Sequence, residues 1–253
     1  HKPYEHAVET LRFLKNSGKK IALLSNAPRR AIKAQTVLEN LGFDKTSYDF
    51  LLTSGEITFE YVKENYPEKS SYFYIGPEKD RDILNGLNLT ETEDAKTASF
   101  ALATGFNDWN STFEERKHQA DEALKAGLTL LCANPDRKVV KQTGEVQICA
   151  GLIAEYYQEN KGNVVYFGKP YKTAYDIIKN KFNIKNSAEI LCIGDSFHTD
   201  IKGANNYNVD SLLVAIGIHA SELLIANNIS IESAQNLSKQ DKATPNYLIR
   251  EFC

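Results

Sequence analysis

The chain predicts an α/β protein: a doubly wound, parallel, Rossmann-like sheet into which a smaller α/β unit is inserted. Three observations carry this prediction. The run "KKIALLSN" is apolar and strand-length without two-fold alternation, the pattern of a strand covered on both faces of a parallel sheet. Helical periodicity separates such runs from one another, which is the grammar of βαβ units. The same grammar occurs at both ends of the chain, while the middle keeps a rhythm of its own, so the ends form one sheet and the middle interrupts it.

Taken in order, Ala7, Val8, Leu11 and Leu14 share one helical face, and Gly18 supplies the stop. The strand in "KKIALLSN" follows. Pro28 suits the first turn of a helix whose Ala31, Ala34, Leu38 and Leu41 share a face, and Gly42 ends it. "YDFLLTSG" is the next strand. In the middle, "SSYFYIG", "SFALATG" and "LTLLCANPD" are strands, with helices expected near Asp80 to Gly86 and Phe113 to Ala126. At the far end come the strand "GNVVYFGKP", an amphipathic helix from Tyr171 to Phe182, and the strand "AEILCIGDS", whose near-continuous apolar run predicts burial. A short helix from Ile201 to Tyr207 and the strand "VDSLLVAIG" complete the pattern. The expected division is residues 1–67 for the first part of the main sheet, 68–163 for the inserted unit and 164–253 for the second part.

The totals narrow the function. With 253 residues, 42% hydrophobic, and a net charge of −3, the composition is that of an ordinary globular protein. The slightly acidic balance excludes nucleic acid and anionic membrane as default partners. The four cysteines show no ligand spacing and fit reduced thiols of a cytoplasmic protein. No apolar run approaches transmembrane length, and no signal peptide is expected. The chain contains no methionine, so a segment ahead of His1 is expected.

In open parallel sheets, ligands bind at the carboxyl ends of the strands. Three strand ends here carry chemistry: Ser25-Asn26, Gly168-Lys169-Pro170, and Gly194-Asp195-Ser196, with Asp200 close behind. Each group has a plainer use. Ser25 or Asn26 suits a helix cap, Lys169 a solvated turn, and Asp195, Ser196 or Asp200 the start of a helix. Together, however, a hydroxyl, an ammonium and two carboxylates suit one ligand. The hydroxyl and the N–H groups of a helix start bind phosphate oxygens. Lys169 supplies compact positive charge, and Asp195 with Asp200 suits Mg²⁺, which prefers carboxylate and water. In the inserted stretch, Asn134 and Asp136 of "CANPD" are candidates for contacting the ligand, or else a self-satisfied Asn-Pro-Asp turn.

"LLSNAPR", "FGKP" and "GDSFHTDIKGA" resemble motifs II, III and IV of the haloacid dehalogenase (HAD) superfamily. The insertion with "LLCANPD" is similar to the C2 cap of its class IIA branch, which contains sugar, nucleotide and pyridoxal phosphatases. The resemblance implies a Mg²⁺-dependent phosphatase acting on a small phosphorylated metabolite through an aspartyl-phosphate. It implies that Ser25 and Lys169 hold the phosphoryl group, that Asn26 orients the site, that Asp195 is the Mg²⁺ ligand, and that Asp200 supports it. The superfamily's motif I carries the nucleophilic aspartate before the first helix, and no Asp precedes Asp44 here. The nucleophile and its strand are therefore expected upstream of His1, between the strands ending at Ser25 and Asp195. Those two strands should then not hydrogen-bond each other. The alternative is a phosphate-binding protein without turnover. A receiver-type signalling domain uses similar groups, but the order of its motifs differs and it would be about half this length. Association into a homo-oligomer is compatible with all of these readings.

Overall fold

The computed structural model describes residues 2–140 and 144–253. The chain begins with α1 (Ala7–Asn16), β1 (Ala22–Ser25), α2 (Ala31–Asn40), β2 (Phe50–Thr53) and α3 (Ser54–Asn65). The middle contains β3 (Ser71–Ile75), β4 (Thr90–Thr92), β5 (Phe100–Ala103), α4 (Glu114–Lys125), β6 (Leu130–Cys132), β7 (Lys138–Val140), β8 (Val146–Ile148), α5 (Ala150–Glu159) and β9 (Val164–Tyr166). The last third contains α6 (Lys172–Lys181), β10 (Leu191–Gly194), α7 (Lys202–Tyr207), β11 (Asp210–Val214), α8 (Ala220–Leu223), β12 (Leu224–Ile225), β13 (Asn228–Ile229), α9 (Ile231–Asp241) and β14 (Tyr247–Ile249). Two compact units result. One comprises His1–Leu23, Gln35–Leu51 and Lys169–Cys253; the other comprises Leu24–Ala34 and Leu52–Gly168. Among the described residues no helix is long and apolar enough to cross a membrane.

In the first unit, β10, β11 and β14 form a parallel sheet in that order, with Leu191 opposite Asp210 and Leu212 opposite Tyr247. Phe197, Ile201, Leu213, Leu223 and Leu237 pack into its core. Asp49 fixes the entry to β1: its carboxylate accepts from the Ile21 N–H at 2.8 Å and from Lys15 at 2.5 Å. β1 pairs with β2, and no ladder joins β1 to β10, which lie in separate sheets. Two expectations of burial fail here. β1 is half-buried along its whole length, and one face of β10 is open, with Leu191 48% and Ile193 39% exposed. No strand among the described residues hydrogen-bonds the other side of either strand, so both stand at the edges of their sheets.

In the second unit, five strands form a parallel sheet in the order β4-β3-β5-β6-β9, and β7 and β8 form an antiparallel hairpin. Phe100 to Ala103 of β5 are fully buried, as the unbroken apolar run demands. Phe73, Ile75, Phe106, Leu130, Ile153 and Tyr157 belong to the core, to which α4 and α5 contribute. β9 is a correction to the sequence reading. Val164 pairs with Leu130, so β9 ends the sheet of the inserted unit instead of opening the second part of the main sheet. The tight return from α5 explains this: Gly162 lies so close under Tyr157 that a Cβ there would stand 2.2 Å from the ring. The helix expected near Asp80 is a 3₁₀ helix, Glu78–Leu84, opened by Pro77.

A candidate phosphate-binding cleft and an acidic cluster

The loop after β1 is held from below by α3. The Thr53 hydroxyl donates to the Arg29 carbonyl at 2.6 Å and accepts from the Glu56 N–H at 3.0 Å, capping α3. Glu56 accepts two bonds from the Arg30 guanidinium, at 2.8 and 3.0 Å, and one from the Ala31 N–H at 2.8 Å, so it also anchors the start of α2. The fully buried Ser54 hydroxyl lies 2.5 Å from the Ala133 carbonyl and 2.9 Å from that of Ala27. Its single proton serves one of them at a time, and the two loops are thereby kept in register.

This scaffold orients four of the expected site residues. The Ser25 hydroxyl accepts from the Ala27 N–H at 3.2 Å, a local turn bond that leaves its proton for another acceptor. Asn26 is 6% exposed, and its amide donates to Asp136 Oδ1 at 2.8 Å. Gly168 has φ +104°, and a Cβ there would stand 2.4 Å from Asn26 Oδ1, so conformation and space both require glycine. Asn134 Oδ1 accepts from the Asp136 N–H at 3.1 Å, the self-satisfied turn weighed from the sequence. Ser25, Asn26, Asn134 and Asp136 thus line one cleft of about 240 Å³, together with Arg29 and Asp80. Cys149 also lines it, but burial, with Asp136 adding, pushes its thiol up to about 12, and it stays protonated.

Lys169, Asp195 and Asp200 are brought together in the first unit. Lys169 Nζ donates to Asp200 Oδ1 at 2.8 Å, with side chains 18% and 11% exposed. Asp200 Oδ2 accepts from the Ser196 N–H at 3.1 Å, while the Ser196 hydroxyl accepts from the Thr199 N–H at 3.3 Å. Ser196 and Asp200 therefore cap the single π turn Phe197–Ile201 reciprocally. Asp195 does not take part in that cap. Its Oδ2 accepts from the Ile218 N–H at 2.9 Å, under Gly217, where a Cβ would stand 2.2 Å from the same oxygen. Burial raises the Asp195 pKa and the Asp200 charge raises it further, opposed by the Ile218 N–H and Lys169.

The donor set suits a hard divalent cation. Mg²⁺ is commonly held by one or two carboxylates with water and phosphate oxygens completing the shell. A desolvated acid beside a second acid has much to gain from such a charge. Both Asp200 oxygens already accept hydrogen bonds, which fits an orienting role for Asp200 and a direct one for Asp195. Among the described residues no group of three or more His, Cys, Asp or Glu could hold a metal ion. Two other histidines are engaged elsewhere: His198 Nδ1 lies 3.5 Å from Asp241, and the His219 ring meets Phe197 edge-on at 5.5 Å.

Sequence reasoning missed Arg29 and Asp80 as lining residues. Arg29 lies inside the quoted "LLSNAPR", four positions past Ser25, and that proximity was the available signal. Asp80 sits in the charged stretch "PEKDRD", where nothing distinguishes it from a solvated acid.

Residues 1–90 match the family described as haloacid dehalogenase-like hydrolase, and residues 166–237 match the one described as HAD-hydrolase-like. Sugar-phosphatase AraL of Bacillus subtilis is 27% identical over 217 residues, 84% of this chain and 77% of the relative. The acid sugar phosphatase of Staphylococcus haemolyticus is 26% identical over 175 residues, 69% of this chain and 64% of the relative. A haloacid dehalogenase-like hydrolase structure from Brucella suis superposes with a TM-score of 0.80 at 25% identity, covering 98% of this chain and 89% of that one. The chain belongs to the haloacid dehalogenase-like hydrolases.

Proposed function

We propose that this chain is a Mg²⁺-dependent phosphomonoester hydrolase acting on a small phosphorylated metabolite. The observation that carries the reading is the Lys169–Asp200 pair set beside the desolvated Asp195, the grouping a phosphoryl site needs. In this reading the Ser25 hydroxyl and the N–H groups of the loop before α2 bind the phosphoryl oxygens, and Asn26, held by Asp136, keeps that loop in place. Lys169, oriented by Asp200, places its ammonium where charge develops during transfer. Asp195 with Asp200 holds Mg²⁺. When bound, that ion supplies positive charge that offsets the charge of the phosphate. The nucleophilic aspartate that forms the aspartyl-phosphate is expected upstream of His1. The inserted residues, expected at 68–163 and extended to Tyr166 by the place of β9, act as a cap that excludes water and contacts the leaving group through Asn134 and Asp136. The relatives named as sugar phosphatases support a phosphorylated sugar as substrate. We extend the reading to a cytoplasmic setting, which the free thiols of Cys132, Cys149, Cys192 and Cys253 support.

The test is phosphate release by the full-length protein from a panel of phosphorylated metabolites, with Mg²⁺ and with a chelator. Mg²⁺-dependent release is expected. Tight phosphate binding without release from any ester would favour a phosphate-binding protein without turnover.

A further inference from the structure

We propose that Arg29 and Asp80 form a donor–acceptor pair that selects the leaving group, recognising adjacent hydroxyls of a polyhydroxylated substrate. Both line the cleft that holds Ser25 and Asn26. Asp80 is 6% exposed, yet among the described residues no side chain or backbone group donates a hydrogen bond to its carboxylate. The Arg29 Nε is buried and has no hydrogen-bond partner. A buried donor left without a partner is costly in a folded protein, and that donor together with an unbonded carboxylate lining the same cavity is what a ligand would complete.

The charges around the cleft say what kind of ligand. Arg29, Lys79, Lys33 and Asp82 surround the Asp80 carboxyl electrostatically, but Lys33 forms an ion pair with Asp82. Arg29 and Lys79 remain on the positive side, Asp80 and Asp136 on the negative side, and all four line the cleft. Two positive and two negative side chains offer no net attraction to a charged leaving group. They offer donors and acceptors, which suits a neutral group rich in hydroxyls. A hydroxyl proton can satisfy the carboxylate while a neighbouring hydroxyl oxygen accepts from the guanidinium. The cleft volume of about 240 Å³ lies below the roughly 300–1,000 Å³ of sites for drug-sized ligands, which fits a small metabolite. Burial raises the Asp80 pKa, as expected of an acid awaiting donors.

This inference rests on the phosphatase reading, and the experiment separates the two. Ribose 5-phosphate and phenyl phosphate are compared as substrates of the full-length protein and of its Asp80→Asn and Arg29→Gln variants. The ratio of kcat/KM for ribose 5-phosphate to that for phenyl phosphate should fall by about 10–100-fold in each variant, since a site built to bond hydroxyls loses that advantage when its partner is removed. An unchanged ratio, or equal losses on both esters, would overturn the pair as a specificity determinant and leave it a packing feature. If the unmodified protein hydrolyses neither ester, the metabolite panel decides the phosphatase reading, and calorimetric binding of the same two compounds decides the pair. Selective weakening of ribose 5-phosphate by Asp80→Asn would uphold it, and equal or absent weakening would overturn it.

Discussion

Removing the Lys169 ammonium should cost stability as well as ligand binding, and both costs follow from its bond to Asp200. In Lys169→Met the stem that packs along the loop is kept and the charge is lost. Asp200 would then retain the Ser196 N–H on Oδ2 and lose the bond at 2.8 Å on Oδ1, in a place where it is 11% exposed. Breaking a buried pair from one side costs about 3–5 kcal/mol. With Lys169 itself 18% exposed, water relieves part of this, and we expect about 2–3 kcal/mol. For a chain of this size that is roughly 4–12 °C in Tm. Asp200→Asn should also cost stability, because a neutral amide oxygen accepts from the ammonium more weakly than the carboxylate does. The double variant should lose less than the sum, with a coupling of about 1.5–3 kcal/mol. Urea unfolding of the four proteins measures this directly. In Lys169→Met, Mg²⁺ should still raise the midpoint, because Asp195 is intact, while inorganic phosphate should no longer do so. Additivity within about 0.5 kcal/mol, or an undiminished response to phosphate, would refute the reasoning.

Three further outcomes follow from the same geometry. The Glu56 pKa is raised by burial, but the bonds from Arg30 and the Ala31 N–H outweigh this and lower it overall. The stability it contributes is therefore present above the unfolded value of 4.5 and lost as pH falls through the lower folded value. Glu56→Gln should lose about 1–3 kcal/mol at neutral pH and flatten the acid limb of the urea midpoint against pH. Gly217→Ala would place a methyl group 2.2 Å from Asp195 Oδ2 and should cost about 1–3 kcal/mol together with most Mg²⁺-dependent turnover. Turnover unchanged in that variant would show that Asp195 does not need its position. Asn134→Ala and Asp136→Ala should shift preference among esters more than they shift turnover of a small generic ester, as competition assays would reveal. The opposite pattern would remove these residues from the leaving-group side of the cleft.

Much of the fold was legible because local pattern and burial agree in this chain. The runs that became β3, β5 and β6 are apolar and buried, and the facing residues of α1 and α2 were readable from period alone. The helix α3 was not readable. Its sequence "SGEITFEYVKEN" mixes Gly with β-branched and aromatic residues, and its helical state rests on the Thr53 cap and on burial of Ile57, Phe59 and Val62. β9 looked like a strand of the main sheet because an apolar tripeptide carries no sign of which neighbour it will pair with. β10 looked buried because its composition is that of a covered strand, and Leu191 and Ile193 are nonetheless exposed. For the site, motif spacing pointed to Ser25, Lys169, Asp195 and Asp200, since strand-end positions can be counted along the chain. Asp80 could not be found that way. Its significance lies in the absence of a partner, which is a property of packing and leaves no mark on sequence.

The central claim is that Asp195 holds the cation on which phosphate transfer depends. Its most direct test is turnover of the full-length Asp195→Asn variant across a Mg²⁺ titration, with unfolding midpoints measured on the same samples. Burial and the Asp200 charge work against an ionised Asp195, so the neutral amide should leave the metal-free fold at least as stable. Turnover should fall by at least about a thousandfold and should not recover at high Mg²⁺. A well-folded variant that keeps more than a few per cent of activity, or recovers it with added Mg²⁺, would contradict the assignment.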